Sequence, residues 1–311
     1  MELREIGTDV FACLQEDRGL GTSNSGLVNR GGGMVVDTFW DLPHTRDMIA
    51  LYSRVWRGPA RRVVNTHHNG DHCWGNQLFD GAEIIGHRRC AEEFFHESPP
   101  AMQAIRSAVD SANPAVSMLA RALQMWDFDG IELRPPTTTF EERLALDLDG
   151  TAVELLYVGP AHTGADVIVH LPRQRVVFTG DILFRLCTPL GWEGTFDRWT
   201  AALDRIVELN PEVIVPGHGP LCGLEGPREM KAYLEYVRAE ARRGFDDGLT
   251  TLETARRIDL GPYAGWTQPE RIVSHVQRAY REFSGDAASA PDNTTLFREM
   301  FELARERGSL A

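Results

Sequence analysis

Four short apolar segments of this sequence, each typical of a buried β-strand, are closely followed by a residue that can bind a metal ion. These residues are His67, His162, Asp181 and His218. In α/β sheets the loops at the carboxyl ends of strands converge on one crevice, so side chains far apart in the chain can meet there. The pattern therefore predicts strands whose carboxyl ends lie at the same edge of the fold.

Helical patterns alternate with these strands. A helix is predicted to begin near Asp41, and residues 195–209 form an amphipathic segment. A helical pattern interrupted by prolines runs from about 88 to 128, which indicates an insertion over the sheet. From Pro227 onward the chain reads as helical. The predicted class is α/β, in one domain over residues 1–311 with a core of about 1–225 and a helical C-terminal extension of about 226–311.

The charge of the chain narrows the class of partner. The formal net charge is -13, which would repel a phosphate backbone unless a local basic patch overrode it, so no nucleic-acid partner is expected. The first residues are charged where a signal peptide is apolar, and no run approaches the ~18 apolar residues of a membrane helix. We therefore expect a cytoplasmic protein without a membrane partner. The five cysteines form no C-x-x-C pair, so neither a disulfide framework nor a thiolate zinc site is predicted.

The loop after the first of these strands holds the densest group of candidate ligands. It reads NTHHNGDHCWG over residues 65–75, and Asp71 and His72 follow His67 closely. Imidazole and carboxylate groups without thiolates are preferred by zinc and by related ions such as Mn²⁺ and Fe²⁺. One histidine at a strand end is usually structural, but this combination across four loops favours a metal site.

The order and spacing of these residues resemble the signature of the metallo-beta-lactamase superfamily, H-x-H-x-D-H followed by a later histidine, an aspartate and a final histidine. The positions in register are His67, Asn69, Asp71, His72, His162, Asp181 and His218. The resemblance covers about residues 26–219. It implies an αββα four-layer sandwich of two mixed sheets flanked by helices. It also implies a first metal on residues 67, 69 and 162, a second metal on residues 71, 72 and 218, and Asp181 bridging both.

Position 69 departs from that pattern, because the chain has Asn69 where the superfamily has histidine. An amide oxygen can coordinate a divalent ion, but it is a weaker donor toward zinc than imidazole. Two alternatives stay open: Asn69 is a weak ligand or orients one, or the site holds a single tightly bound ion. His68 is a further substitute, although adjacent residues of an extended segment point to opposite sides.

The resemblance implies a hydrolase in which a metal-bound hydroxide attacks a carbonyl carbon. Asp71, His72 and Asp181 are the predicted catalytic residues, with Asp71 orienting the hydroxide and relaying its proton. The expected substrates are small-molecule or carrier-bound acyl compounds, namely thioesters, esters or lactones. The alternative from another class is a superfamily member that binds metal but has lost hydrolysis.

Further stretches, residues 11–28, 35–45 and 188–206, resemble a bacterial branch that includes polyketide cyclases with thioesterase activity. In that branch the metal would also stabilise the enolate of a ring closure. Trp40, Phe184 and Trp192 are then predicted to line a pocket for a flat aromatic chain, the alternative being plain core packing. The sequence leaves both a monomer and a homo-oligomer open.

Overall fold

A computed structural model describes residues 1–16, 19–56, 58–191, 193–287 and 292–308. Its strands are β1 Glu2–Gly7, β2 Val10–Leu14, β3 Ser25–Val28, β4 Met34–Val36, β5 Arg62–Val64, β6 Glu83–His87, β7 Thr138–Phe140, β8 Arg143–Leu148, β9 Thr151–Tyr157, β10 Val167–Leu171, β11 Val176–Phe178 and β12 Val213–Val215. Its helices are α1 Leu42–Tyr52, α2 Gly70–Cys73, α3 Arg88–Glu93, α4 Pro99–Arg106, α5 Pro114–Ala122, α6 Phe196–Glu208, α7 Glu225–Asp246, α8 Thr251–Arg257, α9 Ile272–Phe283 and α10 Asn293–Arg307. Short 3₁₀ turns cover Trp74–Leu78, Gly180–Ile182, Gly261–Tyr263 and Pro269–Arg271.

The strands form two mixed sheets. The first has the order β1-β2-β3-β4-β5-β6-β7; it is antiparallel from β1 to β4 and parallel from β4 to β7. The second has the order β12-β11-β10-β9-β8, antiparallel from β8 to β11, with β12 parallel to β11. Parallel neighbours bring their carboxyl ends to the same edge of a sheet, which is the arrangement that the strand-end ligands require.

The two sheets pack face to face and are covered by helices on their outer faces. Buried aliphatic residues from both sheets fill the space between them, among them Val28 and Val64 from the first and Val153 and Val169 from the second. On the outer face of the first sheet, α1 contributes residues such as Met48 to a separate apolar cluster. On the outer face of the second, α6, α7 and α9 share one cluster with strand residues. The predicted αββα sandwich is confirmed.

Local sequence signals set several element boundaries. Helix α1 begins after Asp41, whose Oδ1 accepts a hydrogen bond of 2.8 Å from the backbone N–H of His44. A capping box joins Thr250 and Glu253 at the start of α8. Gly150 has a φ of 84° in the tight turn between β8 and β9, a conformation that glycine adopts without steric cost.

The insertion and the C-terminal helices both pack onto this sandwich. Helices α3 to α5 lie over a cluster that includes Trp40, Trp74, Leu123 and Trp126. The buried residues of α7 and α9 belong to the same cluster as those of the second sheet, while the division near residue 225 stays a prediction. None of the described helices has both the length and the apolar composition needed to cross a membrane.

Candidate metal centre

The predicted ligands come together at one edge of the sandwich. His67 follows β5 of the first sheet, while His162, Asp181 and His218 follow β9, β11 and β12 of the second. The crevice between the two sheets therefore receives side chains from both. The remaining candidates, Asn69, Asp71 and His72, lie at the start of α2 in the same loop as His67.

Asp181 lies at the middle of the group. Its Oδ2 is 3.2 Å from Nε2 of His218, 3.3 Å from Nε2 of His162 and 4.0 Å from Nε2 of His67. Its Oδ1 is 3.0 Å from Nε2 of His72. The carboxylate thus touches or approaches the inner nitrogen of all four imidazoles, which is the position the resemblance assigns to a bridging ligand.

Asp71 approaches the same group from the other side. Its Oδ2 is 3.4 Å from Nε2 of His218 and 3.7 Å from Nε2 of His72. The Nε2 atoms of these two histidines are 3.4 Å apart. Asp71, His72 and His218 form one set that could hold an ion, and His67, His72 and Asp181 form another.

Each of the four histidines is held through its outer nitrogen, Nδ1. The partners are Asp37 Oδ2 at 3.0 Å for His72, Thr66 Oγ1 at 3.0 Å for His67, the Leu190 carbonyl at 2.6 Å for His162 and the Thr22 carbonyl at 3.2 Å for His218. Asp37 also accepts hydrogen bonds from Thr66. This outer contact leaves each Nε2 directed inward, as metal ligation requires. Asp37 and Thr66 were not predicted from the sequence.

The donors in this group fit a divalent ion. Nε2 of His67 is buried and has no hydrogen-bond partner, which is uncommon for buried polar atoms. Burial, reinforced by the charge of His72, holds the pKa of His67 well below its usual range, and burial also lowers the pKa of His162. Burial opposes ionisation of Asp181, but His218, His72 and His162 outweigh it and hold the pKa of that carboxyl well below its usual value. Imidazoles around an ionised carboxylate are the donor set of zinc and similar ions.

The Asn69 side chain faces this group. Its Oδ1 lies 2.9 Å from Nε2 of His162, and its Nδ2 donates a hydrogen bond of 3.1 Å to Glu97 Oε1. The other oxygen of Glu97 accepts a hydrogen bond of 2.9 Å from the backbone N–H of Gly70. Burial raises the pKa of Glu97 to about 7, against the effect of that Gly70 hydrogen bond. Glu97 therefore fixes the amide so that oxygen, the coordinating atom, points inward.

His68 points away from the centre. Its Nδ1 lies 3.5 Å from Oε2 of Glu93 on α3, and its ring is 6.1 Å from the ring of His96. His68 is therefore not placed to substitute for the histidine missing at position 69, as the alternation of side chains along an extended segment indicates.

We expect Glu97→Gln to weaken zinc binding at the Asn69 side of the centre by roughly 10- to 100-fold, the usual cost of losing a group that orients a ligand. Glutamine has a single acceptor oxygen for two donors, so Asn69 is expected to turn its NH₂ inward. Titration of the metal-free protein with zinc in competition with a chromophoric chelator measures this. Glu92→Gln, on the exposed side of α3, is the control, and unchanged affinity in Glu97→Gln would contradict the role of Glu97.

Comparison with known proteins identifies the family. A model of the metallo-beta-lactamase superfamily matches residues 18–218, which is more than half of the chain and includes every candidate ligand. The chain belongs to the metallo-beta-lactamase superfamily. The resemblance read from the sequence is confirmed at this level, while the polyketide-cyclase branch stays a prediction.

The relatives within this superfamily are distant. The chain is 24% identical over 289 residues to a linear primary-alkylsulfatase from Pseudomonas sp., covering 82% of this chain and 54% of that protein. It is 24% identical over 211 residues to a hydroxyacylglutathione hydrolase from Rhizobium meliloti, covering 67% of this chain and 63% of that protein. The solved sec-alkylsulfatase Pisa1 from Pseudomonas sp. superposes with a TM-score of 0.67 at 17% identity, covering 91% of this chain and 50% of that one. The chain thus spans about half the length of the alkylsulfatases, and the superposition shows the fold alone.

A cavity of about 410 Å³ lies next to the candidate metal centre. Its polar floor includes Asn69, Asp71, His162, Asp181 and His218. Its walls are largely apolar, with Met102, Ile105, Leu119 and Leu123 from α4, α5 and the residue after α5, and Phe297 from α10.

Two of the predicted pocket residues lie on this cavity, Trp40 and Phe184. Phe184 stacks on the ring of His218, with centroids 4.9 Å apart and an interplanar angle of 12°. Trp40 packs against Trp126 and Phe128 as well, so it serves both the cavity wall and the core. The third predicted residue, Trp192, lies outside the described residues.

Proposed function

We propose that the protein is a metal-dependent hydrolase of esters or thioesters that carry an extended apolar acyl group. The observation that supports this most directly is the cavity, whose floor is formed by candidate metal ligands and whose walls are aliphatic and aromatic. Such a pocket suits a substrate whose polar, cleavable group lies at the floor and whose apolar chain lies along the walls. The hydroxyacylglutathione hydrolase among the relatives, whose name describes an acyl group carried on glutathione, also favours an acyl substrate.

The residues proposed to hold the ion or ions are His67, Asn69, Asp71, His72, His162, Asp181 and His218. Zinc is the proposed ion, with Mn²⁺ and Fe²⁺ as alternatives, and when bound it would supply an activated water and polarise the substrate carbonyl. Asp71 is partly exposed to the cavity, so its carboxylate is placed to accept a proton from a water molecule there. Phe184 covers His218 and limits access of bulk water to that side.

We expect kcat/KM for p-nitrophenyl esters to rise about four-fold for each added CH₂ until the cavity is filled, since burying a CH₂ contributes about 0.8 kcal/mol. A series from acetate to dodecanoate measures this. Ile105→Asp, on the cavity wall, should remove most of the chain-length dependence while preserving turnover of the acetate ester. Ala104→Asp, on the exposed side of α4, is the matched control. A flat chain-length profile in the wild type would contradict the acyl-chain proposal.

A second candidate is hydrolysis of the sulfate ester of an alkyl chain, and Arg271 is the observation that favours it. This arginine is 5% exposed, lines the cavity, and its Nη1 donates to the Thr188 carbonyl at 3.3 Å. Among the described ion pairs none joins it to a carboxylate. A buried guanidinium without a counter-ion is suited to bind an anionic group of the substrate. The alkylsulfatase relative agrees with this candidate.

One comparison separates these candidates. The zinc-loaded protein is assayed on p-nitrophenyl dodecanoate and on dodecyl sulfate, in the wild type and in Arg271→Gln. Turnover of the carboxylic ester supports the first proposal. Turnover of the sulfate ester, reduced in Arg271→Gln, supports the second. A protein that binds zinc but turns over neither matches the remaining alternative, a member that has lost hydrolysis.

A further inference from the structure

We propose a separate metal site, formed by His68, Glu93 and Glu193, on the opposite side of the first ligand loop from the centre described above. Each residue offers one ligand atom, and these atoms lie within 4.8 Å of one another. His68 is 5% exposed, and its Nδ1 has no hydrogen-bond partner. Oε2 of Glu93 is likewise buried and without a partner. Two orphaned polar atoms therefore face the same point.

The spacing suits an ion better than a direct contact. His68 Nδ1 and Glu93 Oε2 are 3.5 Å apart, which is longer than the usual 2.7–3.2 Å of an N–H···O hydrogen bond. In a tetrahedral zinc site with bonds of about 2.0–2.1 Å, neighbouring ligand atoms are separated by roughly 3.3 Å. The imidazole and the first carboxylate already have that separation. Glu193 is exposed, so its side chain can rotate to complete the set, with water as a fourth ligand.

The two carboxylates at this point also favour binding of a cation. Burial raises the pKa of Glu93, and the negative charge of Glu193 raises it further. Arg89 is one basic group near this point, since its Nη1 and Glu193 Oε2 each lie 2.8 Å from the position that a Cβ on Gly164 would occupy. His96 is another, and its ring lies 6.1 Å from the ring of His68. Among the described ion pairs, however, none joins Arg89 to either glutamate within 4.0 Å. The absence of a side chain at Gly164 keeps this space open between the carboxylates and the guanidinium.

An ion at this point would connect three segments that surround the main centre. His68 lies between His67 and Asn69, Glu93 ends α3 of the insertion, and the backbone N–H of Glu193 donates to the carbonyl of His162 at 3.3 Å. One imidazole with two carboxylates suits Zn²⁺ or Mn²⁺. The site would thus be structural: it would hold the first ligand loop and the loop of His162 against the insertion.

The test is the metal content of the full chain after loading with excess zinc and removal of unbound zinc, measured by elemental analysis. Glu93→Gln, Glu193→Gln and the double variant should each lose a single zinc equivalent relative to wild type, because all three disrupt the same ion. Glu92→Gln, the exposed neighbour on α3, should match wild type. The comparison is a difference between variants, so it is independent of how many ions the main centre holds and of any activity. Equal zinc content in all variants would overturn the proposal.

A second measurement needs no variant. Diffraction data from zinc-loaded wild-type crystals, collected above and below the zinc absorption edge, should show an anomalous peak between His68 and Glu93. A structure without that peak, in which the Arg89 guanidinium lies between the two carboxylates, would overturn the proposal and make Arg89 the local counter-ion.

Discussion

Replacement of Asp181 by asparagine is expected to lower kcat/KM for an ester substrate by roughly 10³-fold. A divalent ion contributes several kcal/mol of transition-state stabilisation, and each loss of about 1.36 kcal/mol lowers the rate ten-fold. The carboxylate lies 3.0 to 4.0 Å from Nε2 of four histidines, and no other described side chain occupies that middle position. Asparagine keeps the shape of the side chain but removes its charge. The imidazoles would then hold an ion only weakly.

The same substitution should alter the metal-free protein in a pH-dependent way. Burial opposes protonation of His72, but Asp181 and Asp71 outweigh it and hold the pKa of His72 well above its usual range. A raised histidine pKa contributes stability that is fully present below the unfolded value of about 6.5 and is lost as the pH rises through the folded value. The free energy of unfolding of Asp181→Asn should therefore fall furthest below that of wild type at mildly acidic pH, with a smaller difference at high pH.

Both effects can be measured on the same preparations. Steady-state kinetics and zinc content measure the loss of kcat/KM and of metal binding. Urea unfolding of chelator-treated protein at several pH values measures the pH-dependent change in the free energy of unfolding. The control is Asp204→Asn, which removes an exposed carboxylate paired with Lys231 at 2.7 Å and should leave kcat/KM unchanged. Activity of Asp181→Asn within a few-fold of wild type would contradict a central role for this carboxylate.

The part of the centre that could be predicted from the sequence is the part encoded by strand ends. His67, His162, Asp181 and His218 each follow a recognisable apolar run, and the direction of those strands determines that their loops meet. Asp37 also follows a buried strand, β4, but the sequence alone did not single it out. Its contact with His72 depends on α2, which turns His72 back toward β4. That placement is a tertiary property with no periodic signal.

The surroundings of the centre were harder to predict for a related reason. Glu97 and the apolar cavity wall come from the insertion, and Phe297 comes from α10 near the end of the chain. Amphipathic spacing indicates that such helices bury one face, but it does not specify which surface they cover. The contact between Glu97 and Asn69 depends on how the insertion packs against the ligand loop, and the spacing of apolar residues does not determine that packing.

Removal of metal by a chelator is expected to abolish hydrolysis and to lower the Tm of the wild-type protein by roughly 6 °C. An ion whose free concentration is 1,000 times its Kd contributes about 4.1 kcal/mol. With an unfolding entropy of about 2.1 cal/mol/K per residue, a chain of 311 residues loses roughly 1.5 °C of Tm per kcal/mol. The fold itself should survive, because in the metal-free protein the protonated His72 lies 3.0 Å from Asp181 and partly balances its charge. His67 Nε2 has no such partner, so its surroundings lose most when the ion leaves.

Adding zinc back should restore both activity and Tm, because the hydrogen bonds of the outer nitrogens with Asp37, Thr66 and the two carbonyls keep the imidazoles oriented without an ion. Differential scanning calorimetry and an ester assay on untreated, chelated and zinc-restored samples measure these changes. Asp181→Asn provides the matched comparison, since most of the zinc-dependent part of the Tm shift should be absent from it. If the shift were equally large in that variant, the stabilising ion would lie elsewhere, and the His68, Glu93 and Glu193 site would be the first place to look. A wild-type protein whose activity withstands complete zinc removal would refute metal-dependent hydrolysis.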